Sequence, residues 1–202
     1  MAAYFLSSGL AFSFSQFPVK DETAIAHSLS LQPAYFDGKQ DKRLQAIFHD
    51  LLLDFRAALT TDCNLYFEWA NDPDTRAQSF SDQPIPYTTH LQWFYRKLEQ
   101  TNTLLWVATY QSWQPVGQIR FDLNAQEAII SFSLDAAFRG KGLGYLILEK
   151  AVAKFYQIHP DKVIVGYVKI TNTASNKLFQ RLGFKRTLAM QYEAAYRYEK
   201  YA

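Results

Sequence analysis

The hydrophobic and polar positions along the chain follow two different periods. In residues 43–59, RLQAIFHDLLLDFRAAL, the apolar side chains Leu44, Ile47, Phe48, Leu51, Leu52, Phe55 and Leu59 fall on one helical stripe with charges opposite. This spacing predicts an amphipathic helix packed against whatever follows it. Its polar face mixes both signs of charge, so the stripe reads as core-facing rather than membrane-bound, and His49 as a surface or packing residue. Two more helical segments come before any strand. TDCNLYFEWANDPDTRAQSF is broken by the turn signal Asn71-Asp72-Pro73, and PIPYTTHLQWFYRKLEQ starts a helix with Thr89 and Gln92 at capping-box spacing.

The period then drops to two. TLLWVATY and PVGQIRFDL flank the connection QSWQ, and EAIISFSL follows NAQ, which predicts three antiparallel strands in a meander. GLGYLILEKAVAKFYQ returns to helical periodicity, KVIVGYVK is a buried-strand run, and TASNKLFQRLG is a short helix closed by Gly183. Residues 190–201 supply a last strand. The order is helices, three strands, helix, strand, helix, strand, with no internal repeats and no low-complexity tracts.

Composition narrows the function classes. A chain of 202 residues, 49% hydrophobic and 20% charged, can build one well-buried core with room for a small appendage. Its 21 cationic and 19 anionic residues form no like-charge block and no basic stripe, so no nucleic-acid partner is expected. The single cysteine, Cys63, rules out an internal disulfide and a cysteine-based zinc cluster, and suits a reducing compartment. His27, His49, His90 and His159 are scattered without ligand spacing, so no metal is expected. The apolar start, MAAYFLSSGLAFSFSQF, lacks the cationic lead of a signal peptide. No stretch reaches the roughly 18 apolar residues of a membrane-spanning helix. The expectation is a soluble, cytoplasmic protein with no membrane partner.

Residues 138–144, FRGKGLG, carry the sharpest chemical signal. A dinucleotide fingerprint would need a third glycine where Tyr145 stands. A triphosphate-binding loop would need Ser or Thr in place of Gly142 and a glycine in place of Asp135. What remains is a strand, a glycine-rich turn with Arg139 and Lys141, and a helix beginning near Gly142. Such a turn points successive N–H groups inward as an anion nest, and the helix dipole adds positive charge there. The competing reading is a plain strand-to-helix turn with solvated cations. Downstream, in VKITNTASNKLFQRLGF, a helix over 173–182 places Asn172, Asn176 and Phe179 on one side, beside a core stripe of Ala174, Leu178 and Leu182. Asparagine amides at a strand end can bind an amide-bearing ligand, and Asn172 can equally be the helix N-cap.

With these residues in view, Arg139-Gly140-Lys141-Gly142-Leu143-Gly144 resembles the Arg/Gln-x-x-Gly-x-Gly/Ala acetyl-CoA signature of the GNAT acyltransferase superfamily, and NTASNKLFQRLGF resembles its second cofactor motif. The resemblance covers about residues 61–202 and implies an α/β (α+β) GNAT fold. That fold is a mixed, mostly antiparallel sheet with helices on both faces, splayed into a V between the strands at 127–134 and 162–168. Acetyl-CoA, the co-substrate, would lie in the V. The resemblance implies that the backbone of Phe132, Ser133 and Leu134 pairs with the pantetheine arm. Amides of Arg139, Gly140, Lys141, Gly142, Leu143 and Gly144 would bind the pyrophosphate without a metal, and Asn172, Asn176 and Phe179 would line the far side.

It also implies direct attack of a primary amine on the thioester in a ternary complex, with the acceptor ammonium losing a proton and a backbone donor for the oxyanion. Many family members protonate the leaving thiolate with a tyrosine whose expected position here is Phe179, so that role does not carry over. Glu68 and His90 are the candidate bases, His90 first because imidazole titrates near neutral pH. Tyr145 and Tyr167 are the candidate acids, and each of the four has a structural role as its alternative.

A finer resemblance concerns the acceptor. FEWANDPDTRAQSFSDQPIPYTTHLQWF, PVGQIRFD and ISFSLDAAFRGKGLG are similar to the bacterial subfamily that acetylates amino groups of nucleotide-linked deoxysugars, of pseudaminic-acid-pathway type. This implies a small-molecule acceptor, with Trp69, Trp93 and Phe121 stacking on a uracil or sugar face and Arg120 pairing with the diphosphate, unless the aromatics are core. Ribosomal-protein N-terminal acetyltransferases share a similar opening segment, which gives a second reading. A third, a non-catalytic acyl-CoA sensor or interaction module, follows from Phe179. FDGKQDKRLQAIFHDLL is similar to the closing segment of a nucleotide-sugar hydrolase fused ahead of this acetyltransferase in some bacteria. Residues 1–60 are therefore read as an N-terminal extension, either a remnant of that hydrolase or a plain helical addition, and 61–202 as the catalytic domain of a monomer or homodimer.

Overall fold

The run TLLWVATY is apolar on both faces, and the computed structural model, which describes residues 3–5, 11–13 and 52–202, shows why. Thr103–Tyr110 is an interior strand with a helical layer on each side. Trp106 and Ala108 enter one core with Ile119, Phe121, Ile130, Leu148, Phe155 and Ile164. Leu105 and Val107 enter a second with Tyr66, Trp69 and Phe94. Alternation therefore persists, but neither face meets water.

Strands β1 (Ala3–Phe5) and β2 (Ala11–Ser13) pair antiparallel, with Ala3 opposite Ser13, inside a unit that spans Met1–Leu44. In the second unit the elements are β3 (Leu53–Ala57), α1 (Cys63–Asn71), α2 (Pro73–Gln78), α3 (Tyr87–Glu99), β4 (Thr103–Tyr110), β5 (Gln114–Leu123) and β6 (Glu127–Leu134). They continue with α4 (Leu143–Ile158), β7 (Val163–Lys169), α5 (Thr173–Arg181), β8 (Lys185–Leu188) and β9 (Ala195–Lys200). The seven strands β3 to β9 lie in the order β3-β4-β5-β6-β7-β9-β8, with β6 and β7 parallel and the other neighbours antiparallel. Among the described residues no helix is long and apolar enough to cross a membrane.

The helix expected over 43–59 does not hold through its last part. Leu53–Ala57 is β3, paired with β4 from Leu53 opposite Tyr110 to Ala57 opposite Trp106. Leu53 and Phe55 turn inward and Asp54 outward, a period of two embedded in an apolar run that also satisfies a helical stripe. Pairing with the free edge of β4 decides between the two. Residues 43–51 and nearly all of the segment resembling the hydrolase tail lie outside the described residues.

Local signals set the helix ends. Asp72 caps α2 by accepting the Thr75 N–H, and Pro73 occupies its first turn. Helix α3 begins at Tyr87, with Pro86 (φ −59°) as its N-cap and no side-chain capping bond, so the Thr89/Gln92 spacing is not used. Strand β8, KRTL, was not legible as a strand because all four residues are exposed and none alternates, as suits a charged sheet edge.

The feature that positions the site is a break in one ladder. β6 and β7 pair through four positions, Glu127 opposite Val163 to Ile130 opposite Gly166, and then part. β6 stays paired with β5 as far as Leu134, and β7 with β9 as far as Lys169. The C-terminal halves of β6 and β7 therefore splay into a V.

Candidate active site

The V exposes backbone. The Asp135 N–H donates to Val116 O, so by antiparallel alternation Ser133 and Ser131 face β5, while the N–H and C=O of Phe132 and Leu134 face the gap. Arg139 Nε and Nη2 take the Leu134 carbonyl at 3.2 and 3.0 Å. The Phe132 N–H and C=O and the Leu134 N–H remain in line along the strand edge, an arrangement that matches an extended chain carrying amides.

At the mouth of the V, a short 3-10 turn (Ala136–Phe138) leads into the glycine-rich loop and α4. Gly140 and Gly142 have φ of +74° and +78°, where a side chain is strained although an added Cβ would meet nothing within 4 Å. Gly142 is the N-cap of α4 and no side chain caps the helix, so its first N–H groups lack an internal acceptor. Leu143 is buried, and a Cβ on Gly144 would approach Leu134 Cδ1 to 3.1 Å, so close packing holds the start of α4 against β6. Lys141 is exposed, with Nζ 5.4 Å from the Phe138 ring centroid. The loop thus presents uncapped N–H donors at a helix N-terminus, which fits a pyrophosphate.

Arg139 plays a different part from its neighbours. Its guanidinium lies 2.6 Å from Asp72 and 3.0 Å from Asp74, and latches the start of α2 to the loop. Burial alone would raise the Asp72 carboxyl, but Arg139 and the Thr75 N–H outweigh it and hold Asp72 below the ordinary carboxylate range. Any anion contact by this residue comes from its backbone.

On the far side of the V, α5 faces the end of β7. Asn172 is the N-cap of α5, its side chain accepting the Ser175 N–H at 3.0 Å. Asn176 is 8% exposed. Its Nδ2 donates to Lys169 O and Ile170 O, and its Oδ1 accepts the hydroxyl of the fully buried Tyr198. The Asn176 amide is thus engaged within the protein on both its atoms, and Asn172 takes the N-cap role that its position also offered, through its side-chain oxygen. Phe179 is 2% exposed, stacked on Tyr198 and edge-on to Phe184. Its ring lies so close over Gly166 that an added Cβ would meet it at 2.6 Å. It forms the floor under the fork of the V.

Several expected acceptor-side residues move to the interior. Phe121 is fully buried and stacked on Phe155, because it alternates with Arg120 and points to the α4 side of the sheet. Trp69 is buried and donates Nε1 to Asp135 at 3.0 Å, tying α1 to the turn before the loop. His90 is 2% exposed, bonded through Nε2 to Cys63 O at 3.0 Å and ringed by Phe67, Trp93 and Phe94. A base must reach the proton it removes, and this imidazole does not reach the acceptor surface. Glu68 is exposed on α1. Tyr145 donates its hydroxyl to Glu149 one turn along α4 and stacks under Arg181, an alternative employment to an acid.

Burial pushes the His90 imidazole below its ordinary value of 6.5, more than the bond to Cys63 O raises it. The unfolded chain then binds a proton that the folded chain refuses. The stability this group contributes is complete above about pH 6.5 and declines as the pH falls below it. His90→Gln, which keeps a donor for Cys63 O, is expected to flatten the loss of unfolding free energy between pH 7 and 5 in urea titrations. Equal pH slopes for the two proteins would refute this.

Trp93 and Arg120 meet each other, both partly buried, and Tyr167 lies apart from them. The Arg120 guanidinium sits 5.3 Å from the Trp93 ring centroid. Arg120 and Lys97 share one carboxylate, Asp122, each at 2.7 Å, so one positive charge remains in that cluster. Tyr167 is half-buried just past the last β6–β7 pair and touches Arg197 and Gln191, neither of which sequence reasoning singled out. Phe80 and Tyr192 stack at 3.9 Å between the α2–α3 connection and the β8–β9 turn, beside a hollow of about 550 Å³ lined by Ile170 and residues 188–195. Among the described residues no group of three or more His, Cys, Asp or Glu is placed to hold a metal ion.

The chain matches the family model of the acetyltransferase (GNAT) domain over residues 53–185. Solved structures share the fold at low identity. A domain from Methanocaldococcus jannaschii superposes with a TM-score of 0.65 at 22% identity, over 73% of this chain and 97% of that one. The spermidine N-acetyltransferase of Vibrio cholerae, solved with CoA and spermine, gives 0.67 at 15% identity over 74% and 95%. A ribosomal L7/L12 alpha-N-protein acetyltransferase in complex with coenzyme A gives 0.63 at 17% identity over 74% and 94%. No curated protein sequence matches the chain.

Proposed function

The chain belongs to the GNAT acetyltransferase domain family, an acetyl-CoA-dependent N-acetyltransferase by that membership, and we propose that its acceptor is the primary amine of a nucleotide-linked amino sugar. The observation that carries the donor half is the parting of β6 from β7 after Gly166, which leaves the Phe132–Leu134 edge open beside the uncapped start of α4. Acetyl-CoA supplies an activated thioester. The chain supplies binding and orientation: loop N–H groups for the pyrophosphate, and the β6 edge for the pantetheine amides.

The acceptor half rests on Trp93 and Arg120. They stack on the face of β5 opposite Phe121, and Arg120 shares Asp122 with Lys97. A flat aromatic surface next to an uncompensated positive charge favours a planar base and a phosphate over a cationic polyamine. Trp69 and Phe121 drop out of this set because both are buried.

Thiol release from acetyl-CoA, followed with a panel of acceptors, tests the reading. Release is expected with UDP-4-amino-4,6-dideoxy sugars and not with spermidine or with peptides bearing free N-termini. Release with peptides alone would replace the acceptor class with a protein N-terminus. Acetyl-CoA binding without release for any amine would make the chain an acyl-CoA sensor.

A further inference from the structure

We propose that Tyr167 is the acid that protonates the leaving thiolate, and that Arg197 and Gln191 are positioning residues that aim its hydroxyl; this rests on the acetyl-transfer reading but not on the acceptor class. Phe179 leaves a vacancy in the chemistry, since a phenyl ring has no proton to give. Two other tyrosines near the V have given theirs elsewhere: Tyr198 donates to Asn176 and Tyr145 to Glu149. Tyr167 differs in the direction of its bonds. Its oxygen accepts from Arg197 Nη1 at 2.6 Å and from Gln191 Nε2 at 2.7 Å.

A phenolic oxygen has one proton to donate and two lone pairs to receive with. With both lone pairs engaged, the remaining direction belongs to the O–H, which stays available to a third partner. The site of the residue suits that partner. Ile130 opposite Gly166 is the last β6–β7 pair, so Tyr167 and Ser131 are the first residues of their strands beyond it. By alternation both lie on the sheet face away from the buried Ile130 and Val168. Tyr167 therefore stands at the fork of the V, with its hydroxyl held between Arg197 and Gln191 on that face.

Arg197 is itself fixed at every edge of its guanidinium. Nε holds Glu199 at 2.7 Å, Nη2 holds Glu127 at 2.6 Å, and Nη1 is left for Tyr167. Arg197 and Tyr167 are register partners across β7 and β9, which sets their spacing by the ladder rather than by side-chain chance. Gln191 comes from the β8–β9 turn, which Tyr192 also ties to Phe80 and to the Tyr167 ring.

The step balances as follows. The amine nitrogen bonds to the thioester carbon, and the carbon–sulfur bond breaks with its electron pair passing to sulfur. Tyr167 delivers a proton to that sulfur and recovers one from solvent, to which the acylated nitrogen has released its own. No oxidant, reductant or metal enters.

The test is Tyr167→Phe, assayed with whichever amine of the acceptor panel turns over. The expected result is a fall in kcat of about 100-fold or more, within the usual range for losing a general acid, with KM for acetyl-CoA within about twofold of wild type. Replacing acetyl-CoA by p-nitrothiophenyl acetate, whose leaving thiolate needs no proton, should erase most of the difference between wild type and Tyr167→Phe. A purely structural role would not be rescued in this way. Gln191→Ala lies on an exposed turn and is expected to fold normally while lowering kcat severalfold, and Arg197→Lys to lower it by about tenfold through loss of the fixed fork. An unchanged kcat in Tyr167→Phe, or an equal loss with the activated donor, overturns the proposal and leaves acetyl transfer standing. A wild type that turns over no amine removes both readings together.

Discussion

Gly142→Asp is expected to raise the KM for acetyl-CoA by about a thousandfold while leaving the protein close to wild type in stability. The two effects separate for a physical reason. Gly142 is the uncapped N-cap of α4, with φ +78°. An aspartate there meets strain of about 1–2 kcal/mol from the left-handed conformation, at the low end because Asp visits it more readily than most residues. The same carboxylate caps the orphan N–H groups and faces the positive end of the helix, which returns about 1 kcal/mol. Folding is nearly neutral in consequence. Binding is not, because the carboxylate fills the nest that a pyrophosphate would need, and a like charge about 4 Å away costs roughly 4 kcal/mol at an effective dielectric of 20. Gly142→Ala separates the components, since it brings the backbone strain without the charge and should weaken binding far less. Steady-state kinetics with calorimetric melting curves decide the matter. An unchanged KM in Gly142→Asp would mean that the pyrophosphate lies elsewhere.

The donor loop was legible in the sequence because its requirements are local. Positive φ at Gly140 and Gly142, a preceding strand and a following helix all occupy fixed offsets within a few residues. The acceptor side was harder because it depends on which face of the sheet a residue takes. Arg120 and Phe121 are adjacent, yet one lies half-buried against Trp93 and the other fills the opposite core against Phe155. In β4 both faces are buried, so polarity alternation gives no direction. His90 attracts attention through its chemistry, but its neighbours Phe67, Trp93 and Phe94 come from two helices whose packing no local pattern encodes. The Arg197–Tyr167 pair joins residues thirty positions apart in the chain through the β7–β9 register. Each residue alone looks like an ordinary strand position. β3 went unread for the opposite reason, since a local pattern compatible with two periods was resolved by a partner strand fifty residues away.

Asn176→Leu tests the other side of the V, where the expected effect falls on stability. Leucine matches asparagine in the number and branching of its side-chain heavy atoms and is bulkier, so no cavity forms and the loss reports on the hydrogen bonds together with some crowding. Lys169 O and Ile170 O lose their donor and the Tyr198 hydroxyl loses its acceptor, in a place where Tyr198 is fully buried. An orphaned buried group costs about 1–3 kcal/mol. The two carbonyls at the end of β7 can recover part of this from water, and the Tyr198 hydroxyl has less recourse. A net loss of about 3–5 kcal/mol follows, near the upper limit for a single substitution. For a domain of this size it lowers Tm by roughly 10–15 °C. Asn172→Ala removes one capping bond on the same helix and should cost only about 1 kcal/mol, which makes it the internal control. Thermal unfolding of the ligand-free protein gives the answer without reference to catalysis. If Asn176→Leu melted with wild type but bound acetyl-CoA weakly, the amide would be facing the ligand after all. A large loss of Tm in the absence of ligand instead assigns Asn176 to the brace that holds the end of β7 away from β6, and with it the opening of the V.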